Sequence, residues 1–230
     1  MIKDIDIFQK QFYSVQRLGL GLNGGGGPFN FDIHKAYDFC TVIDHNNIDV
    51  IVETGCNAGD TTEFLAIRYP NKKIITCDID YSYVNLAKIR LQKYKNVDVH
   101  EISSEYLIKQ VKHESNIIFY LDAHWGNYHP LKNELSNINK GYVMVDDFDI
   151  GCANFQFDKY ESKIDIDLVK NYTNEAYINN PAFEYPIFCH QLIRKAGRCF
   201  FQKQKDSKVF KFKNFKKIFK NKHTSASFEI

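Results

Sequence analysis

Short apolar runs alternate with helix-like stretches through the middle of the chain, and this alternation constrains the fold more than any other feature. The candidate strands lie at residues 50–53, 73–78, 97–101, 117–122 and 142–146. Helical patterns separate them at residues 61–68, 83–94, 105–112 and 130–138. Short apolar runs of this kind suit strands that are buried on both faces. The sequence therefore predicts an α/β protein with a Rossmann-like, doubly wound, mostly parallel sheet and helices on both faces.

Three segments surround or interrupt this predicted core. Residues 1–30 form a short amphipathic lead-in and a glycine-rich loop at 21–28, whose four consecutive glycines predict a mobile linker or lid. Residues 31–203 form the main domain, which begins with a helix over about 33–47 and ends with a strand over 198–203. Within it, residues 148–190 are irregular and rich in aromatics, Asn and Asp. Residues 204–230 form a basic tail.

The composition excludes several classes of protein. Hydrophobic residues make up 44% of the 230-residue chain and charged residues 25%, as in ordinary globular domains. No apolar run reaches the roughly 18 residues that a membrane-spanning helix needs, and the charged start does not resemble a signal peptide. The six cysteines form no CxxC pair, which argues against a zinc ribbon. We therefore expect a cytoplasmic protein with reduced thiols.

The net charge of +2 hides an uneven distribution. Residues 203–222 contain nine lysines and one acid, so this segment carries +8 and the rest of the chain −6. Phe212, Phe215 and Phe219 have helical spacing, which predicts a basic amphipathic helix. Such a helix would make weak contact with a membrane surface or with nucleic acid, or would pack its aromatic face on the acidic body. We favour the packed arrangement.

A glycine turn follows the first candidate strand. Gly55 and Gly59 lie between strand and helix, where glycine lets the backbone pass close to a ligand. A dinucleotide fingerprint would read GxGxxG, but this turn reads Glu53-x-Gly-x-x-x-Gly, with Asn57 at the central position. A ligand without a pyrophosphate fits this spacing better.

Polar residues also follow the second and third strands. Asp78 comes about 20 residues after the glycine turn, where an acid accepts hydrogen bonds from ribose hydroxyls. Asp78 and Asp80 are alternatively helix caps; we expect Asp78 at the ribose and Asp80 or Ser82 at the cap. Ser103 or Ser104 either contacts an adenine or caps the next helix.

These motifs together resemble the ordered motifs of class I S-adenosylmethionine-dependent methyltransferases over roughly residues 45–150. The matching elements are the turn from Glu53 to Gly59, then Asp78, then the run from Leu121 to His124. In that family the turn holds the methionine part of the cofactor, the acid holds the ribose, and the residue after the third strand lies near the adenine. The resemblance implies S-adenosylmethionine contacts at Glu53, Gly55, Asn57, Gly59, Thr61, Asp78, Ser104 and Asp122.

The fourth and fifth strands resemble one group of that superfamily, the macrocin O-methyltransferases and cephalosporin hydroxylases. The matching runs are residues 119–125, 130–135 and 143–148. Members modify sugars and small secondary metabolites, and in the O-methyltransferases three acids bind a divalent metal, here Asp122, Asp146 and Asp147. A hard cation such as Mg²⁺ lowers the pKa of a bound hydroxyl and relieves repulsion among carboxylates. Alternatively, Asp146 and Asp147 cap a solvated loop.

His124 follows Asp122 by two residues and is the second candidate catalytic residue. Imidazoles in general change charge near neutral pH, so a histidine here would serve as a general base. A structural or cofactor-contacting histidine is the alternative. Trp125 and Tyr128 would line the same mouth, either shaping an acceptor site or packing in the interior.

The sequence therefore predicts an S-adenosylmethionine-dependent methyltransferase that acts on the hydroxyl of a sugar or another small molecule, with residues 148–190 on the acceptor side. An RNA methyltransferase using the basic tail is an alternative. The acidic body and the lack of a base-flipping motif or an RNA-binding module argue against it. A nicotinamide-dependent oxidoreductase and a non-catalytic cofactor-binding protein are further alternatives. The glycine spacing opposes the first and the retained acids oppose the second.

Overall fold

Eight strands and seven α-helices make up the part of the chain that the computed structural model describes, residues 2–16, 26–114, 116–160, 163–187, 195–203 and 212–220. The strands are β1 (Val50–Thr54), β2 (Lys73–Asp78), β3 (Val97–Glu101), β4 (Ile117–Leu121), β5 (Gly141–Val145), β6 (Glu175–Asn179), β7 (Cys199–Lys203) and β8 (Phe215–Lys220). The helices are α1 (Ile5–Ser14), α2 (Ile33–His45), α3 (Asp60–Arg68), α4 (Tyr81–Leu91), α5 (Ser104–Gln110), α6 (Leu131–Asn137) and α7 (Ile166–Val169). A short 3-10 turn covers Pro28–Phe31.

All eight strands belong to one sheet, in the order β3-β2-β1-β4-β5-β7-β6-β8. The first five strands are parallel, and β7, β6 and β8 continue the sheet in antiparallel pairs. Because β1 lies between β2 and β4, the chain reverses its direction of travel across the sheet at this point. Ligands of open α/β sheets bind outside the carboxyl ends of strands at such a reversal. The predicted doubly wound, mostly parallel fold is confirmed.

The two faces of the sheet bury separate sets of side chains. Along β4, Tyr120 packs with α1, α2 and α3 on one face, whereas Phe119 and Leu121 pack with α5 and α6 on the other. Both faces of the central strands are therefore covered, and all five residues of β4 are buried. This explains why the central strands appear in the sequence as continuous apolar runs rather than alternating ones.

The predicted elements between residues 33 and 147 agree with the structure to within a few residues. The main difference at the carboxyl edge is that β4 ends at Leu121 and β5 at Val145. Asp122 and Asp146 therefore follow their strands instead of ending them. This position leaves the two carboxyl groups in the loops above the sheet edge.

Residues 148–190 contain regular structure that the sequence did not predict. The short helix α7 and the strand β6 lie in this segment, and all five residues of β6 are buried. The sequence of β6, Glu-Ala-Tyr-Ile-Asn, has polar residues at both ends. Tertiary pairing with β7 and β8 supplies its hydrogen bonds, so its strand conformation depends on distant neighbours.

The helical prediction for the tail is wrong over residues 215–220, which form strand β8 and pair with β6. The spacing of Phe212 and Phe215 therefore does not mark one face of a helix. Phe215 is buried against Phe200, with ring centroids 4.8 Å apart. The strand also extends the sheet beyond the predicted boundary at residue 203. The remaining tail residues, 204–211 and 221–230, lie outside the described residues.

The amino-terminal lead-in packs on the main domain through α1. Phe8 and Phe12 are fully buried, and both rings contact Phe64 of α3. Residues 17–25, which include most of the predicted glycine-rich loop, lie outside the described residues. Its described end is held in place, because the Gly27 N–H donates to Asp60 Oδ2 at 2.7 Å. Within the described ranges, no helix combines the length and apolar character needed to cross a bilayer.

Removal of β8 tests whether the end of the tail belongs to the folded domain. We expect truncation after Lys203 to lower the Tm by about 5 °C or more, because the pairing with β6 and the buried ring of Phe215 are lost. Truncation after Lys220 is the control, because it keeps β8. Equal melting temperatures for the two truncated proteins, measured by circular dichroism, would contradict a structural role for β8.

Candidate active site

The glycine turn passes close to the loop that follows β4. Gly55 has φ +79°, and a Cβ at this position would lie 2.9 Å from the Ala123 Cα atom. Gly59 also has φ +79° and precedes α3 in the left-handed conformation. At both positions the positive φ favours glycine. At Gly55 the close approach of Ala123 also leaves no room for a side chain. The turn therefore keeps the ends of β1 and β4 close together.

Glu53 lies beneath the glycine turn and does not line the cavity above it. Its side chain is 2% exposed, and its Oε2 accepts hydrogen bonds from the hydroxyls of Thr62 and, at 2.8 Å, Thr76. Burial raises the pKa of Glu53 to about 7, although the two threonine bonds oppose this shift. The predicted cofactor residue Glu53 thus connects β1, β2 and α3.

Asp78 lies at the end of β2 and faces the glycine turn. Its carboxylate accepts a hydrogen bond from the Asn57 N–H at 2.9 Å and another from the Asp80 N–H at 3.0 Å. Asp78 is partly exposed and lines the cavity above the turn. Asp80 caps α4 by accepting from the Ser82 N–H at 2.7 Å. Of the two residues that the sequence offered for the cap, Asp80 and Ser82, the structure has Asp80.

A small cavity extends from Gly55 and Asp78 toward the start of α5. Ser104 lines it and is the first residue of α5, while Ile79 and Ile102 provide apolar surface. Trp125 and Tyr128, each about half exposed, also line it. The lining is therefore mainly apolar with a few polar groups, which suits a heterocycle, and we refer to this cavity as the slot.

A larger cavity adjoins the slot and shares Gly55, Asp78, His124 and Trp125 with it. Its other lining residues are Gly26, Gly27, Asn30, Cys56, Asn57, Asp60, Thr61, Tyr83, Asp122 and Gly126. The sequence predicted Gly55, Asn57, Thr61, Asp78 and Asp122 here, but it did not predict the segment from Gly26 to Asn30. That segment is anchored by α3, because the Phe29 N–H donates to the Thr61 hydroxyl at 2.9 Å.

The three predicted metal ligands converge at the carboxyl edge of the sheet. One oxygen from each of Asp122, Asp146 and Asp147 lies within 4.8 Å of the other two. Asp147 has φ +47°, a left-handed conformation that lets two consecutive acids share one edge. We refer to Asp122, Asp146 and Asp147 as the acidic cluster.

Two further residues contact the acidic cluster and were not predicted. The ammonium of Lys35 lies 2.5 Å from Asp146 Oδ2, and the Tyr120 hydroxyl donates to the same oxygen at 2.8 Å. Burial favours a higher pKa for Asp146, but the charge and hydrogen bond of Lys35, together with hydrogen bonds involving Asp122 and Tyr120, hold the pKa below its usual value. Burial and the charge of Asp146 raise the pKa of Asp122 well above its usual value. Asp146 is thus ionised more readily than Asp122.

His124 is exposed at the mouth of the cavity and faces the acceptor-side segment. Its ring centroid lies 6.0 Å from that of Tyr160, which also packs on His129 at 4.4 Å. Tyr160 was not predicted, because residues 148–190 contain no motif. Its aromatic type is the only signal that the sequence offered.

No family model and no curated protein sequence matches this chain, but solved structures match its fold. The plantazolicin methyltransferase BamL, in complex with a triazolic desmethylPZN analogue and SAH, aligns with a TM-score of 0.52 and 11% identity. The alignment covers 75% of this chain and 84% of BamL. A Staphylococcus aureus protein assigned as a caffeoyl-CoA O-methyltransferase aligns with a TM-score of 0.50 and 14% identity, over 88% of this chain and 93% of its own. The chain has a class I methyltransferase fold.

The methyltransferase fold does not by itself determine the reaction. Spermidine synthase from Thermotoga maritima aligns with a TM-score of 0.50 and 11% identity, over 74% of this chain and 59% of its own. The arrangement of side chains at the site must therefore support any assignment of function.

The buried Glu53 predicts a pH dependence of stability. Its pKa of about 7 in the folded protein exceeds the value of 4.5 for a solvated glutamate, so the folded state retains the proton more strongly. Stability from this group is present below about pH 4.5 and is lost as the pH rises toward 7. We expect Glu53→Gln to reduce this pH-dependent loss of unfolding free energy by at most about 3 kcal/mol.

Urea denaturation at about pH 5 and about pH 7.5 measures the change in unfolding free energy. The exposed Glu101→Gln at the end of β3 is the control. Burial also raises the pKa of Glu134 to about 7. Glu134 therefore contributes its own loss of stability with rising pH, and that contribution remains in every variant. Identical pH dependence in Glu53→Gln and the wild-type protein would contradict the assignment to Glu53.

Proposed function

We propose that this protein is an S-adenosylmethionine-dependent methyltransferase that methylates a hydroxyl group of a sugar or another small molecule. The observation that carries the proposal is the pair of joined cavities above the glycine turn, with Asp78 and Gly55 at their junction. The similarity in fold to BamL and to the Staphylococcus aureus protein supports it. The experiment that tests it is methyl transfer from labelled S-adenosylmethionine to a panel of hydroxylated acceptors.

We infer one orientation for the cofactor in the two cavities. The slot, lined by Ile79, Ser104 and Trp125, would take the adenine. The free lone pairs of Asp78 would accept hydrogen bonds from the ribose hydroxyls. The larger cavity beside Asn57 and Asp122 would take the methionine part. S-adenosylmethionine supplies the electrophilic methyl group when it is bound.

A third cavity supports a small acceptor. It lies between the loop before α6 and the acceptor-side segment, next to the adenine slot through Tyr128. Its lining residues are Asn127, Tyr128, His129, Leu131, Lys132, Tyr160, Ile164 and Leu168. Aromatic rings with a few polar groups suit a ring-shaped, hydroxylated molecule. Tyr160 connects this cavity to His124, which we propose takes the proton from the acceptor's hydroxyl at a ring nitrogen.

We further propose that the acidic cluster binds a divalent cation. Three carboxylates form a hard oxygen donor set, which Mg²⁺ prefers. In addition, Asp146 Oδ1 is buried without a hydrogen-bond partner in the described part of the chain. The residues therefore fit a cation. When bound, it would lower the pKa of the acceptor's hydroxyl, and Asp122, Asp146 and Asp147 would hold it.

The alternatives are weaker on specific grounds. The spacing from Gly55 to Gly59, with Asn57 between them, opposes a nicotinamide dinucleotide. An RNA methyltransferase would rely on the basic tail, but residues 215–220 are part of the sheet. A non-catalytic cofactor-binding protein would bind S-adenosylmethionine without methyl transfer, so the labelled-acceptor assay separates it from the proposed enzyme.

Cofactor binding is the first test. S-adenosylhomocysteine should raise the Tm, as any ligand of the folded state does, whereas NAD should not. Asp78→Asn should weaken S-adenosylhomocysteine binding by roughly 1–3 kcal/mol, because a charged acceptor is lost. Isothermal titration calorimetry measures the change, with exposed Asp98→Asn at β3 as the control. A Tm increase with NAD and none with S-adenosylhomocysteine would refute the proposal.

Chelation tests the metal. EDTA should abolish methyl transfer to an active acceptor and leave S-adenosylhomocysteine affinity nearly unchanged, because the cation acts on the acceptor. Asp147→Asn should reduce turnover in the same way and recover partly at high Mg²⁺. Radiolabelled methyl transfer and calorimetry measure the two effects. Full activity in EDTA would remove the cation from the proposal and leave His124 as the only proposed proton acceptor.

A further inference from the structure

Lys35 reaches the acidic cluster because of where α2 begins. Asp32 caps this helix by accepting from the Lys35 N–H at 2.9 Å, which fixes the first turn at the carboxyl edge of the sheet. From there the side chain points inward and is 1% exposed. A lysine is almost never buried so completely unless it is paired. Its position therefore reflects a specific partner.

That partner is one oxygen of Asp146. The Lys35 ammonium and the Tyr120 hydroxyl both donate to Asp146 Oδ2, at 2.5 Å and 2.8 Å. Asp146 Oδ1 has no hydrogen-bond partner among the described residues. The Tyr120 hydroxyl also lies 3.2 Å from Asp122 Oδ2. Lys35 thus occupies one side of the acidic cluster and leaves an open oxygen on Asp146.

The charges of this group are unequal. Asp122, Asp146 and Asp147 bring three carboxyl groups, of which Asp122 is the least readily ionised, and Lys35 brings one ammonium that is covalently part of the chain. Any external cation held by the same carboxylates would lie close to the Lys35 ammonium. Two positive charges a few ångströms apart in a buried site repel each other strongly. Lys35 therefore neutralises part of the cluster and opposes a second cation there.

We propose that Lys35 is an internal counter-cation of the acidic cluster, which competes with an external divalent cation for the carboxylates and weakens its binding. This inference rests on the part of the proposed function in which the acidic cluster binds a divalent cation. It makes cation binding at the site weak and reversible. The site would then respond to the concentration of free Mg²⁺ instead of holding the ion permanently.

The opposite role has a different consequence. If Lys35 instead positions Asp146 as a ligand, its removal would loosen the carboxylate and weaken cation binding. Competition predicts the reverse, because removing a positive charge leaves the cluster more negative. The direction of change in cation affinity therefore decides between the two roles.

Binding of Mn²⁺ to the metal-free protein, followed by the electron paramagnetic resonance signal of free Mn²⁺, measures this affinity. We expect Lys35→Met and Lys35→Gln to bind Mn²⁺ at least about tenfold more tightly than the wild-type protein. Lys73→Met is the matched control, because Lys73 pairs with Asp98 at 2.5 Å on the exposed surface. It should bind Mn²⁺ as the wild type does. Unchanged or weaker binding in both Lys35 variants would overturn the proposal.

Two further measurements keep the outcome interpretable. The Tm shift with S-adenosylhomocysteine, measured on the same samples, tests the proposed function separately. Failure of the Lys35 proposal can therefore be distinguished from failure of the proposed function. A Lys35 variant that folds only when Mn²⁺ is present supports competition, since the ion replaces the missing charge. A variant that folds under neither condition overturns it, because Lys35 would then be required for the fold itself.

Discussion

The close approach of the β1 turn to the loop after β4 is the constraint on which the site depends. A Cβ on Gly55 would lie 2.9 Å from the Ala123 Cα atom, so only glycine allows the two loops to meet. Their contact places Asp122 beside the glycine turn, and β5 then brings Asp146 alongside. The parallel pairing of β1, β4 and β5 aligns their carboxyl ends. The joined cavities and the acidic cluster are thus consequences of one packing arrangement.

Three buried ionisable groups lie near this edge. Glu53, Asp146 and Lys35 are each at most 3% exposed, and each has a specific reason to remain there. Two threonine hydroxyls donate to Glu53, whereas Lys35 and Asp146 form an ion pair through Asp146 Oδ2. Breaking a buried pair by removing one partner is costly, because the other charge is left uncompensated. The proposed reaction would therefore take place beside the buried Lys35–Asp146 ion pair.

The acceptor side is built differently. The residues facing His124 come from a segment whose regular elements are the short helix α7 and the strand β6. Tyr160 contacts both histidine rings, and its hydroxyl donates to Asp158 Oδ2 at 3.1 Å. Loops on a rigid scaffold commonly determine which substrate binds.

The sequence by itself determined the sheet from β1 to β5, the glycine turn, and the acids Asp78, Asp122, Asp146 and Asp147. These features are readable because strand and helix periods are local, and because parallel strands bring their following residues to one edge. Only the tertiary structure determined that β6 and β8 are strands, since their pairing partners are distant in sequence. The same holds for Lys35, which lies 111 residues from Asp146 in the chain. No local pattern specifies that contact, because it forms when α2 packs against the sheet and brings Lys35 to Asp146.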